Sequence, residues 1–421
     1  MLEHQIKTVS LQMLSSDEEQ GAEAARHIRA IAMEHREDDE TRGVLGASDE
    51  LRKGLLHLLS NGSDAARYWC CHCIVSLSHK HAANQTVIAT HDGMMHAILS
   101  VLQHGTALSR GAACSALVEA TFRNAANALI VAQTPGMMQG VVAVMQSSVG
   151  DVRDDAAGVL RNCSNYSQEA AEVIVKTPGL LEALIEMCRG QHNSDRFTAM
   201  GTIQNLTRCE TVVPLLRETR VVIDALLPSL CAVGTGEEHD VIRAEALMAL
   251  TNLTSERGLR SLTADAEVMS VMVQMLRCAV RGQAWRDVAW YDAEECLRPI
   301  ALLSLNADNG NILAAVGLIQ VLLDLLGGWL SREAEHLPER FHRARTPAPA
   351  RRGYTLFRAY KTRDADLARE EPRQGGECAI PDAAQLQAVL ASWAALSDER
   401  AVARADDARG TAARGAARGG E

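Results

Sequence analysis

The sequence predicts an all-helical solenoid of about seven stacked three-helix units, and three observations predict it. Similar stretches return every 43 residues through the first half of the chain. Inside each stretch the apolar residues fall at intervals of three and four, the spacing of one helix face, and not at the strand interval of two. Aromatic residues make up only 3% of the chain, which disfavours a β-sandwich, whose strands draw on aromatic and β-branched side chains.

Taking one reference residue per unit gives Met33, Ser76, Glu119, Asn162, Asn205, Asn252 and Ser304. The first five are spaced by 43, and the last two intervals are 47 and 52. Two residues before each stand Ile31, Ile74, Leu117, Leu160, Ile203, Leu250 and Leu302. Six before, in the middle units, stand the small residues Cys70, Ala113, Ala156, Ala199 and Ala246. A small column lets neighbouring helices approach, and a large one fills the groove opposite. Eighteen after the reference stand Leu51, Met94, Met137, Leu180 and Ile223, and twenty-two after stand Leu55, Ile98, Val141, Leu184 and Leu227. Thr134-Pro135-Gly136, Thr177-Pro178-Gly179 and His91-Asp92-Gly93 punctuate each unit, since glycine ends a helix at little steric cost and proline lacks an N–H. A second break, as at Asn61-Gly62-Ser63, precedes the longest helix. Each unit therefore reads as two shorter helices and a longer third.

The third-helix segments Ala156–Ser164, Ala199–Thr207 and Ala246–Thr254 carry small residues, then leucine or isoleucine, then asparagine. In this the chain resembles armadillo repeat proteins, over roughly residues 20–326. The resemblance implies a right-handed superhelical armadillo-type solenoid whose third helices line a concave groove. It also implies that asparagines at the reference position hydrogen-bond the backbone of an extended peptide, a task for which an amide offers both donor and acceptor. Asn162, Asn205 and Asn252 match; Ser76 and Glu119 occupy the same groove position with other chemistry. The alternative is that the asparagines bond their own helix or a neighbouring turn. Nuclear import adaptors of the family place tryptophan four residues earlier, where this chain has Gly158, Gly201 and Met248.

Acidic residues near the groove, Glu119, Asp154, Asp155 and Glu245, favour a basic ligand; the last three could instead serve the positive end of a helix. Nine residues before the reference runs an arginine column, Arg67, Arg110, Arg153, Arg196 and Arg243. Arginine opposes the dipole at a helix start, so either inter-repeat carbonyls and carboxylates hold it, or the column forms a groove edge that grips acidic groups.

Residues 1–326 hold 26 Lys+Arg against 39 Asp+Glu, and the acidic balance argues against nucleic acid as partner. No apolar run is long enough for a membrane span, and the N-terminus lacks a secretory pattern. The cysteines lack framework spacing, so a reducing compartment is expected: cytoplasmic, or nuclear, cytoskeletal or ciliary. Cys70-Cys71-His72-Cys73 with His79 and His81 mimics a metal cluster, yet its sulfurs diverge around one helix, and no metal site is expected. No catalytic motif appears, and neither cofactor nor small-molecule substrate is expected.

Ile6, Val9, Met13 and Leu14 give residues 1–19 the pattern of a capping helix over the solenoid of 20–326. The seventh unit reads as degraded, with a shortened loop at Asn306–Gly310, after an insertion carrying Trp285, Trp290 and Tyr291. A basic linker of disordered composition is expected over 327–380, an amphipathic helix with Leu386, Val389, Leu390, Trp393 and Leu396 over 381–400, and a low-complexity tail over 401–421. The expected function is a non-enzymatic adaptor that binds an extended or helical protein segment in the groove. Two alternatives are a structural part of a cytoskeletal or ciliary assembly and a carrier of basic nuclear signals. The basic stretch Arg340–Arg363 either remains a solvated linker with no docking site or folds back on the acidic body and competes with outside ligands.

Overall fold

A computed structural model describes residues 2–15, 17–36, 38–232, 236–286 and 291–325. An opening pair, α1 (Leu2–Gln12) and α2 (Glu18–Glu34), precedes a series of helix triplets. The first two triplets are α3 (Asp39–Ala47), α4 (Asp49–Asn61), α5 (Asp64–Ser78), then α6 (Ala82–Thr90), α7 (Met94–His104), α8 (Ala107–Thr121). The next two are α9 (Ala125–Gln133), α10 (Met137–Ser147), α11 (Asp151–Tyr166), then α12 (Gln168–Lys176), α13 (Leu180–Arg189), α14 (Asn193–Arg208). In the fifth, α15 (Val213–Arg217) leads to a π-turn, Val222–Leu226, that runs into α16 (Leu227–Cys231), and α17 (Glu237–Leu253) completes it. Last come α18 (Glu256–Ser261), α19 (Ala266–Val280), α20 (Ala293–Leu303), α21 (Ala307–Ala315) and a helical segment Leu318–Leu325. No strand occurs among the described residues.

The long third helices stack in series: α2 on α5, α5 on α8, α8 on α11, α11 on α14, α14 on α17, and α17 on α20. The sequence columns make that stack. Cys70, Ala113, Ala156, Ala199 and Ala246 are wholly buried, and Ile74, Leu117, Leu160, Ile203 and Leu250 fill the space between helices. Burying one unit's apolar face against the next is what holds such a chain together. Local chemistry starts and stops the helices where the pattern requires. Ser48, Ser63, Thr106, Asn124 and Ser167 accept backbone N–H groups as N-caps. Gly93, Gly136 and Gly179 turn the chain into the second helix with φ of 78°, 84° and 76°, a region costly for any residue with a Cβ.

Four details differ from the sequence reading. Glu18 already begins α2, capped by Asp17, so the opening segment is shorter than 1–19. Ile6, Val9 and Met13 are buried, but α1 ends at Gln12 and the turn after it leaves Leu14 exposed. In the fifth unit Ile223 is exposed, while Val222 and Leu226 face the core. Pro228 cannot donate a backbone hydrogen bond, the Leu227 N–H reaches back five residues to Val222 O, and the Asp224 carbonyl accepts instead from Arg189 Nε at 2.8 Å. The stretch after Asn306 is helix rather than loop, because Asn306 Oδ1 accepts from the N–H groups of Asp308 and Asn309. Trp290 and everything expected beyond 325, including the linker, the amphipathic helix, the tail and the fold-back stretch, lie outside the described residues.

Candidate functional site on the concave face

On each third helix the reference residue and those 4, 7 and 11 before it share one face. That face is concave from α11 onward, because side chains two repeats apart meet across it. Arg161 on α11 reaches Glu245 on α17 at 2.9 Å, and Arg208 on α14 reaches Glu295 on α20 at 3.1 Å. The first contact passes over α14 at Gly201, where a Cβ would lie 2.4 Å from the guanidinium carbon of Arg161. Glycine at this place lets the guanidinium through. Arg161 also stacks on the Phe197 ring, 4.2 Å from its centroid, and donates to Phe197 O at 3.2 Å. Tyr291 donates its hydroxyl proton to Glu245 Oε1 at 2.8 Å.

Glu245 is 1% exposed, and its Oε2 has no hydrogen-bond partner. Burial therefore pushes its carboxyl up to about 7, against the pull of Arg161 and the Tyr291 hydrogen bond. Burial likewise raises Glu295, opposed by Arg208. The result is a largely buried polar seam from α11 to α20.

The N-terminal end of the same face is different. Along α2 the stripe reads Arg26, Arg29 and Met33, with Arg36 one turn on; along α5 it reads Trp69, His72 and Ser76, with His79 one turn on. Arg26 and Arg29 sit over the Trp69 ring, 6.0 and 5.8 Å from its centroid. Tyr68 packs edge-on against Trp69 and His72, with centroids 5.1 and 4.4 Å apart. On α8, Leu108, eleven residues before Glu119 on the same stripe, is 70% exposed. Deeper in, Arg36 Nη2 lies 3.0 Å from His79 Nε2, and His79 Nδ1 lies 3.2 Å from Glu119 Oε2. Arginine can only donate, so Nε2 accepts and the Nδ1–H tautomer donates to Glu119.

No protein-family model matches the chain, and no curated protein matches it. Solved structures do. A designed armadillo repeat protein superposes with a TM-score of 0.51 at 16% identity, covering 59% of this chain and 100% of its own. A second designed armadillo repeat protein, solved in complex with the peptide (KR)4, gives 0.51 at 15% identity over 59% of this chain and 99% of its own. An engineered protein of a structural genomics consortium gives 0.53 at 16% identity over 71% and 68%. The fold is an armadillo-type solenoid.

Within this armadillo solenoid the three reference asparagines are 3%, 6% and 8% exposed. Asn162 Nδ2 donates to Val118 O at 3.0 Å, Asn205 Nδ2 to Arg161 O at 3.2 Å, and Asn252 Nδ2 to Thr207 Oγ1 at 3.2 Å. Each amide thus ties its third helix to the one before. Ser76 donates to the carbonyl of His72 on its own helix. The groove acids are also engaged: Glu119 by His79, Asp154 by Thr198 at 2.6 Å, Asp155 by Ser115 at 2.5 Å. Glu245 lies eight residues into α17, so the helix-start role considered for it does not apply.

The arginine column follows the edge between second and third helices. Arg67 donates to Ser60 O and Arg110 to Ser147 Oγ. Arg153 meets Glu186 at 3.2 Å and Asp195 at 3.9 Å, and Arg243 meets Glu267 at 3.2 Å and Asp265 at 3.8 Å. Arg196 is half-buried. The cysteines on α5 are buried in the small-residue packing, and burial pushes the Cys71 and Cys73 thiols up to about 12.

Sequence reasoning passed over Arg161, Phe197 and the Arg–Trp69 cluster, and it noted Tyr291 only as part of an insertion. A signal for the first did exist. Arg161 stands in a column otherwise occupied by Val75, Val118, Gln204 and Thr251, beside a third-helix glycine in the next unit. A charge in such a column needs a partner, and a glycine in the adjacent helix leaves room for one.

Proposed function

We propose that this armadillo solenoid is a non-enzymatic protein-binding scaffold, and that it receives an extended protein segment along the N-terminal stretch of its concave face, over α2, α5 and α8. The observation that carries this reading is the contrast along one face. Met33, Trp69, His72 and Leu108 present surface there, whereas Asn162, Asn205 and Asn252 lie under side chains of their own chain. An inner face already crossed by Arg161–Glu245 and Arg208–Glu295 has little room for a segment to lie along it. The designed armadillo protein solved with (KR)4 supports a peptide as the kind of ligand this architecture accepts. The free thiols among the described residues fit a reducing compartment, cytosol or nucleus.

The test is site-specific photo-crosslinking in native extract. A crosslinker at Leu108 should repeatedly capture one segment of one partner, and a crosslinker at Leu215, exposed on a first helix, should not. Capture from Leu215 with none from Leu108 would place the working surface on the outer face and remove the proposal.

A further inference from the structure

We infer that the segment bound in the open groove is acidic, with carboxylates seated on Arg26 and Arg29 and an apolar side chain laid between Trp69 and Leu108. The inference rests on the groove reading above and adds the chemistry of the partner. It runs against the net charge of the chain, which is −11 and at first sight invites a basic ligand. What a ligand meets is the local face, not the sum, since salt screens exposed charges beyond about 8–10 Å.

Over the first two third helices the stripe carries Arg26, Arg29, Arg36, His72 and His79. The first acid on it is Glu119, on α8, which accepts from His79. Of the nearby acids, Asp64 is held by Thr106, and Glu23 pairs with Arg26 in an exposed i,i+3 contact, a kind worth little, which a ligand carboxylate on Arg26 displaces. Arg29 makes no ion pair with a carboxylate among the described residues; its contact is the face of Trp69. A guanidinium held 5.8 Å from a ring centroid by a cation–π contact still has N–H groups to offer, and these match a carboxylate with two parallel hydrogen bonds. Trp69 and Tyr68, half-buried, supply apolar area beside it, and Leu108 continues that area onto α8. Ring, guanidinium and aliphatic side chain together suit a segment in which acidic and apolar residues take turns at every second position, because an extended chain sends residues i and i+2 to the same face.

The experiment uses the full chain and two fluorescent peptides of equal length, one in which glutamate and leucine take turns at every second position with serine between, and one with lysine in place of each glutamate. By fluorescence anisotropy at low salt the glutamate peptide should bind and the lysine peptide should not. Added salt should weaken the binding. The double variant Arg26→Ala/Arg29→Ala should lose roughly tenfold or more, as expected for charge-assisted hydrogen bonds removed. Arg26→Lys/Arg29→Lys should recover part of it. Arg257→Ala/Arg260→Ala, the same charge change on exposed α18, should bind as the unaltered protein does. Equal or tighter binding of the lysine peptide, an unaffected Arg26/Arg29 variant, or no binding of the glutamate peptide would each overturn the acidic partner. A partner segment crosslinked at Leu108 would then still support the groove, whereas loss of that crosslink removes both.

Discussion

At the scale of single residues, the seam from Arg161 to Glu245 yields the sharpest expectations. Removing one member of a buried ion pair strands the other, at about 3–5 kcal/mol. Above about pH 7, where Glu245 is ionised, Arg161→Ala and Glu245→Ala should each destabilise the stack by that order in urea denaturation, and the double variant should cost less than the sum. Gly201→Ala should act through the same pair, since its Cβ would occupy the guanidinium's place, and overpacking adds about 1–3 kcal/mol. Titration gives a separate check. Glu245 is raised from 4.5 to about 7 in the fold, so between those values the folded chain holds a proton that the unfolded chain has released. The stabilisation is complete below the unfolded value and is lost as pH rises through about 7. Against Glu245→Gln, which cannot titrate, the unaltered protein should lose urea stability over that window. A flat difference would mean that Glu245 stays ionised throughout. The reference asparagines belong here too. Because Asn162, Asn205 and Asn252 tie adjacent helices, alanine at each should lower stability by roughly 0.5–1.5 kcal/mol. Binding at the N-terminal groove should be left unchanged.

Among the elements, α1 packs at one end of the described stack. Met13 packs within reach of Gly54, and α1 lies on α2 and α4, covering their apolar surface. In a quasi-one-dimensional chain each unit is stabilised by its neighbours alone. Deleting residues 2–15 should therefore speed amide exchange in α4 and α2 and leave α14 unchanged; uniform acceleration would contradict nearest-neighbour stabilisation. Legibility in the sequence divides along the same line. The columns through Ala156 and Leu160 or Ala199 and Ile203 repeat because every unit solves the same packing problem, so helix order and turn glycines could be read directly. The exceptions follow from single events with no periodicity. Pro228 shifts one register, and Asn306 starts a helix where a loop was expected. Arg161 finds its partner 84 residues away, a distance that no local pattern encodes.

For the whole molecule, one face serves two ends. Past α11 the inner surface is crossed by the chain's own ion pairs, while over α2, α5 and α8 it presents arginine, tryptophan and an exposed leucine. The groove was legible as a surface from the third-helix signature, but the stretch proposed to bind was not. The signature asparagines mark where helices are tied together, and the basic–aromatic cluster lies outside them. Hydrogen exchange with a captured partner segment bound tests this division most directly. The account predicts new protection in α2, α5 and α8 and none in α14 or α17. Protection centred on residues 193–253, with α2 and α5 unaffected, would contradict it.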